Sequence, residues 1–276
     1  MNSICDADLE AVMADMRLAA LQEVMPRFQR LESGEVRSKA GAEDLVTEAD
    51  LGAERMLTAA LARRFPGALV IGEEAVSAEP QRLRQLGRAA LSIVIDPVDG
   101  TWNFAHGLPL FGMMVALVAE ERTVAGIIHY PLTGEFVFAR AGGGAWLAAP
   151  DGQRRPLRVA PPRPVGGMSG IVGLPQLPAE EQAALAPRLP AFQRVTNYRC
   201  SAYEYRLLAQ GSADFLLNAQ LMPWDHLAGH LIHREAGGHA AVLPGTPYRP
   251  SMTEGRLLLA SDAASWQAIC RALGLS

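Results

Sequence analysis

The chain has 276 residues, 49% hydrophobic and 20% charged, with a formal net charge of −4. That length buries a substantial core, as one large domain or two fused lobes, and the balance excludes a disordered chain and a basic nucleic-acid footprint. Three widely spaced cysteines (Cys5, Cys200, Cys270) exclude a disulfide framework and a paired-thiolate zinc site, and point to a reducing, cytoplasmic setting.

Asp6, Asp8, Glu10 and Asp15 at the N-terminus are wrong for a signal or transit peptide. Leu9, Val12, Met13, Met16, Ala20 and Leu21 recur at helical spacing over residues 8–25, and Pro26 limits the pattern. Residues 32–41 are polar and glycine-bearing, which reads as a loop or an irregular hairpin. Thr47-Glu48-Ala49-Asp50 matches a capping box and opens a second helix through Leu51, Met56, Leu57 and Leu61. Residues 68–71 read as a short strand ending at Gly72-Glu73-Glu74, and residues 80–87 as a short helix. A buried strand is predicted over residues 91–95, followed by a proline-stiffened turn, Asp96-Pro97-Val98-Asp99, and then Gly100-Thr101.

Four strand-like runs follow, at 112–119, 124–130, 135–140 and 144–147, separated by turn residues as in an antiparallel meander. The first of these is too short to span a bilayer, so no membrane contact is expected. The Pro-, Gly- and Arg-rich stretch 148–166 holds the expected lobe boundary, dividing 1–150 from 151–276. Arg154, Arg155, Arg158 and Arg163 within it read as a solvated edge. Helices are expected over 202–210, 225–236 and 263–273, with Gly237-Gly238 stopping the second. Helices and sheets are therefore layered in α+β fashion.

Asp50, Glu73-Glu74, Asp96, Asp99 and Asp225 each sit at an element boundary beside apolar runs. Carboxylates gathered in one pocket repel one another unless a cation neutralises them. With few nitrogen or sulfur ligands nearby, Mg²⁺ is favoured, with Mn²⁺ as a substitute. A glycine and a hydroxyl directly after the paired carboxylates suit a phosphate, which needs unobstructed backbone N–H groups. Together they point to a metal-dependent phosphate-ester hydrolase acting on a small molecule.

The segments DLVTEAD (44–50), GEE (72–74), DPVDGTWNFAHGLP (96–109) and WDHLAGHLIHREAGG (224–238) resemble the inositol monophosphatase family, in the right order and over most of the chain. The resemblance implies a layered αβαβα sandwich of the inositol monophosphatase/fructose bisphosphatase type, and two or three metal ions per site. It implies that Glu73, Asp96 and the Val98 carbonyl hold one ion, and that Asp96, Asp99 and Asp225 hold a second. Thr101 and Asp50 would orient and deprotonate the attacking water, and Glu74 would position a water. Gly100 and Thr101 would offer N–H groups to phosphate, with Ser201, Ala202 and Asn218 on the substrate side. Lys39 matches the family's lysine-bearing loop only loosely and is not assigned as a ligand. A homodimer is implied by analogy.

Ser201 also reads as a cap for the helix over 202–210. His226, His230 and His233 fall on one helix face, about 100° round from Asp225, which reads as partly exposed or as an interface. His106 reads as a loop brace, and Trp102 and Trp224 as packing around the acidic motifs. Members acting on inositol phosphates tend to carry an acid where Asn218 stands, and a glycine where Cys200 stands. Small polyol or sugar phosphates, histidinol phosphate, fructose 1,6-bisphosphate and 3′-phosphoadenosine 5′-phosphate all stay open as substrates. A regulatory binding protein on the same scaffold is the alternative of another class.

Overall fold

A computed structural model describes residues 4–32, 34–39, 41 and 43–275. Helix α1 (Asp6–Ala19) buries the predicted stripe of Leu9, Val12, Met13 and Met16 and runs on into a π-helical turn, Ala20–Val24. A two-stranded antiparallel hairpin, β1 (Val36–Ser38) against β2 (Leu45–Thr47), follows. Ser33 and Ala40, in the stretch read as a loop or irregular hairpin, lie outside the described residues. Helix α2 (Glu48–Arg64) begins at the predicted capping box. Thr47 Oγ1 accepts from Ala49 N at 3.2 Å, and Asp50 Oδ2 accepts from Thr47 N at 2.8 Å.

Next come β3 (Leu69–Gly72), α3 (Glu73–Ala78) and a 3-10 turn, Pro80–Gln85. Strand β4 (Ser92–Asp99), α4 (Thr101–Ala105), β5 (Gly112–Ala119), β6 (Arg122–Tyr130), β7 (Glu135–Arg140), β8 (Ala145–Ala148) and β9 (Arg154–Pro156) complete a seven-stranded sheet. Its strands lie in sequence order from β3 to β9, with β3 parallel to β4 and every other pair antiparallel. The meander is as predicted, and β9 adds one strand from within the arginine-rich stretch.

One prediction needs correction. Asp96-Pro97-Val98-Asp99 is not a turn; it continues β4, and the turn comes at Gly100. Asp96 pairs opposite Met114 and Asp99 opposite Gly112, so three steps on β4 match two on β5. That mismatch is a β-bulge, which tolerates a proline without a donor. It also resets the alternation of the strand. Ile93, Ile95 and Val98 face the α1–α2 side, while Val94 packs on the opposite face. Without the bulge, side chains three apart would point to opposite faces; with it, Asp96 and Asp99 share one.

The second half builds β10 (Ser169–Val172), α5 (Ala179–Leu185), β11 (Arg194–Thr196), α6 (Ser201–Ala209), β12 (Phe215–Asn218), α7 (Pro223–Glu235), β13 (His239–Val242), β14 (Leu257–Ala260) and α8 (Ala263–Leu273). A five-stranded sheet runs β11-β10-β12-β14-β13, with β11, β10 and β12 parallel and β14 antiparallel to both its neighbours.

Three apolar clusters glue five layers together. Leu57 and Leu61 of α2 and the α1 stripe pack on Ile93, Ile95, Val115 and Ile127. Tyr205, Leu208, Leu227 and Ile232 of α6 and α7 fill the space between the sheets, meeting Val94 and Ala116 on one side and Leu216 and Leu259 on the other. Trp266, Ile269 and Leu273 of α8 cover the outer face of the second sheet. The order is helix, sheet, helix, sheet, helix: the αβαβα sandwich expected. No helix among the described residues is long and apolar enough to cross a membrane.

Candidate active site and metal centre

The C-terminal end of β4, the N-terminal ends of α3, α6 and α7, and the β1–β2 hairpin converge on one cleft of about 240 Å³. Glu73, Asp99, Gly100, Thr101, Ser201 and Asp225 all line it. Ligand oxygens of Asp96, Asp99 and Asp225 lie within 4.8 Å of one another. Three carboxylates that close resist ionising together. Burial, then the charges of Glu73, Asp99 and Asp225, push the Asp96 carboxyl well above the usual range. Burial, then Asp99 and Glu73, do the same to Asp225.

Asp99 differs because it is better partnered. Ala202 N donates to its Oδ2 at 2.6 Å, the Cys200 thiol to the same oxygen at 3.0 Å, and Ser201 N to its Oδ1 at 3.1 Å. Burial raises its pKa, these donors pull it back, and it settles at about 6. The backbone N–H groups of Ser201 and Ala202 serve Asp99, because the first turn of α6 has donors with no intrahelical acceptor. One expectation is corrected: Cys200, not Ser201, is the N-cap residue, and its own side chain does not cap α6.

Asp50 is fully buried in the first turn of α2. Its Oδ2 accepts from Thr47 Oγ1 at 2.5 Å and its Oδ1 from Thr101 Oγ1 at 3.2 Å; Thr101 also reaches the Val98 carbonyl at 2.9 Å. Burial raises the Asp50 pKa to about 7, Glu73 adding and Thr47 opposing. Gly100 sits at φ +86°, and a Cβ there would meet the Leu110 carbonyl at 2.8 Å. Glycine is therefore required to turn the chain from β4 into α4 and bring Thr101 back over Asp50.

Lys39, left unassigned from the sequence, belongs to the site. Its Nζ donates to Glu73 Oε1 and Glu74 Oε1, each at 2.7 Å. Burial works against its charge, but the two carboxylates win and raise its pKa. Burial and the Glu73 charge raise Glu74 to about 8, with Lys39 opposing. Glu54 of α2 was also missed. It accepts from Glu74 N at 2.8 Å and Ala75 N at 2.9 Å, anchoring the start of α3 from outside. Sequence showed no signal for it, since a glutamate inside a helix reads as solvated.

The α7 histidines are corrected as well. His226, His230 and His233 are 3%, 8% and 0% exposed, because α7 is sandwiched between the sheets. Burial lowers their pKa values to about 4, 3 and 4, so all three are neutral at pH 7. His106 braces its loop, Nδ1 lying 2.7 Å from the Trp102 carbonyl oxygen. Trp102 lines the cleft with the Arg199 guanidinium 4.2 Å over its ring, and Trp224 packs against the middle layer. Asn218, at the end of β12, lines the cleft beside Gln176, Asn197 and Gln220.

The donor set fits a hard divalent cation. It is all oxygen, it is mostly buried, and Asp96 Oδ1 is buried with no hydrogen-bond partner among the described residues.

A model of the inositol monophosphatase family matches residues 7–273. The chain belongs to that family. It is 30% identical over 211 residues to the Thermotoga maritima fructose-1,6-bisphosphatase/inositol-1-monophosphatase, covering 76% of each chain. It is 32% identical over 213 residues to the Nus factor SuhB of Escherichia coli, covering 75% of each. A histidinol-phosphatase of Chlorobaculum parvum matches at 29% over 238 residues, 83% of each. Among solved structures, a Thermotoga maritima IMPase superposes with a TM-score of 0.80 at 24% identity, covering 97% of this chain and 98% of that one. As in the rest of this phosphatase family, the centre is one for a metal ion and a small phosphate ester.

Proposed function

We propose that this inositol monophosphatase family member is a Mg²⁺-dependent phosphomonoesterase acting on a small polyol or sugar phosphate of the inositol 1-phosphate kind, with Mn²⁺ as a substitute. The observation that carries the reading is the trio Asp96, Asp99 and Asp225, within 4.8 Å of one another at a cleft that the amides of Gln176, Asn197, Asn218 and Gln220 also line. Asp96, Asp99 and Asp225 would hold one cation, and Glu73, Asp96 and the Val98 carbonyl a second. Bound there, the cations supply charge neutralisation at the phosphoryl group and acidify a water.

This chain's own residues do the rest. Thr101 Oγ1, held by Asp50, accepts a hydrogen bond from the attacking water. Asp50, with a pKa of about 7, is matched to receive its proton near neutral pH. Lys39 holds Glu73 in place and is itself held by Glu74, which would also position a water. The N–H groups of Gly100 and Thr101 orient the phosphate, and Asn218 meets the leaving group. Ser201 stays on the substrate side through its hydroxyl.

A phosphate-release screen tests this, using inositol 1-phosphate, fructose 1,6-bisphosphate, histidinol phosphate and 3′-phosphoadenosine 5′-phosphate with Mg²⁺. Turnover of the first, abolished by Asp225→Asn in a protein that still folds, is the expected result. The histidinol-phosphatase relative makes that ester the main competitor on the panel. The SuhB relative supports a second reading, a regulatory binding protein, which metal-independent silence across the panel would favour. We further propose a homodimer in a reducing cytoplasm, a setting supported by the free thiols of Cys5, Cys200 and Cys270.

A further inference from the structure

Along one side of the cleft runs a chain of polar groups of which the proposed reaction uses only Asn218. The Gln220 carbonyl oxygen lies 2.6 Å from His226 Nε2, and His226 Nδ1 lies 3.2 Å from Tyr205 Oη. Tyr205 Oη lies in turn 3.5 Å from Asn218 Nδ2, a long contact at the cleft wall. Tyr205, His226 and Asn218 are 0%, 3% and 8% exposed, so no bulk water replaces these partners.

Donor arithmetic then orders the chain. A carbonyl oxygen only accepts, so His226 Nε2 carries the hydrogen. In the neutral ring that leaves Nδ1 as a lone pair, which takes the Tyr205 hydroxyl hydrogen. Tyr205 has only lone pairs left for Asn218. If Asn218 turned its oxygen toward Tyr205, two acceptors would face each other. Its NH₂ must point inward, and its amide oxygen is left for the cleft.

We infer that Tyr205 and His226 are positioning residues that lock the Asn218 amide with its oxygen toward the cleft, so that the site selects phosphate esters whose leaving group donates a hydrogen bond. The inference rests on the proposed phosphomonoesterase reading for its substrate and on the protein alone for its geometry. A swivelling amide would serve donors and acceptors equally. A locked one rejects a leaving group that only accepts, such as an ether, because lone pair then meets lone pair.

Two measurements on the full chain decide it. The first is nitrogen-15 NMR of the His226 ring in the cation-free protein. A neutral ring protonated on Nε2 is expected; a ring protonated on Nδ1 overturns the lock whether or not any ester is cleaved. The second compares kcat/KM for a polyol monophosphate and for the same ester with its hydroxyls methylated, which accept but do not donate. Tyr205→Phe keeps the buried ring and removes only the hydroxyl. It should cut the ratio of the two values by about fivefold, the worth of one neutral hydrogen bond. In an Asn218→Ala background it should leave the ratio as it was. An unchanged ratio in Tyr205→Phe, or an equal fall in both backgrounds, overturns the inference. If the wild type cleaves neither ester, the phosphatase reading fails while the ring tautomer still decides the lock.

Discussion

Replacing Asp96 by asparagine should stabilise the protein when no divalent cation is bound. Asp96 faces Asp99 and Asp225 with ligand oxygens within 4.8 Å. Two unit charges at that distance repel by roughly 3.5 kcal/mol at an effective dielectric of about 20. Two such neighbours, both ionised, come to about 7 kcal/mol, which partial protonation reduces. Asparagine keeps the shape, deletes the charge and adds N–H donors where Asp96 Oδ1 now has no partner among the described residues. A net gain of about 2 kcal/mol is expected, or a rise in melting temperature of about 4–8 °C for a chain of this size. The assay is thermal unfolding in a chelator and again in millimolar Mg²⁺. The wild type should gain in Mg²⁺ and the variant gain little, so the order of the two melting temperatures narrows or reverses. An Asp96→Asn protein that melts below the wild type in chelator, and still gains as much from Mg²⁺, would refute the argument that these carboxylates are arranged for a cation.

Gly72→Ala should be severe, although the backbone there is extended at φ −101° and open to any residue. Its Cβ would fall 2.2 Å from the Glu54 carboxyl carbon and displace the group that anchors α3. A loss of about 2–4 kcal/mol in urea unfolding is expected from two charge-assisted bonds, with activity falling as Glu73 shifts; a loss below about 0.5 kcal/mol would argue against the clash. Lys39→Met leaves Glu73 and Glu74 facing each other, so a loss of about 2 kcal/mol is expected in chelator, part of it regained in Mg²⁺; chelator curves that coincide with the wild type would show the bridge contributes nothing. His129 is 2% exposed, and its pKa is lowered to about 4, chiefly by burial. A depressed histidine gives stability that is full above the unfolded value of 6.5 and is lost as pH falls from there toward 4, by about 3 kcal/mol in all. His129→Phe should therefore flatten the decline in urea midpoint between pH 7 and pH 4.5, and parallel curves for the two proteins would count against it.

The local elements were legible because their causes are local. Helical spacing of Leu9 to Met16, the Thr47–Asp50 capping box and the turn residues between β5 and β8 act within a few residues. The acidic blocks were legible too, since carboxylates at the ends of apolar runs have few bland explanations. The bulge in β4 was not, because Asp-Pro-Val-Asp read alone has the composition of a turn. Only its pairing with β5 shows that the strand continues. Lys39 was noticed but left unassigned, and Glu54 was invisible, because their partners lie 34 and 20 residues away.

From the chain alone came the order of elements, the layered class and the acids Asp96, Asp99 and Asp225 that the fold brings within 4.8 Å of one another. Tertiary structure decided which atoms meet: that Ser201 and Ala202 serve Asp99, that Lys39 bridges Glu73 and Glu74, and that the α7 histidines are buried and neutral. The reason is range. Backbone preference and periodicity are written in neighbouring residues, whereas burial, charge and hydrogen-bond partnership depend on groups that only the packed layers bring together.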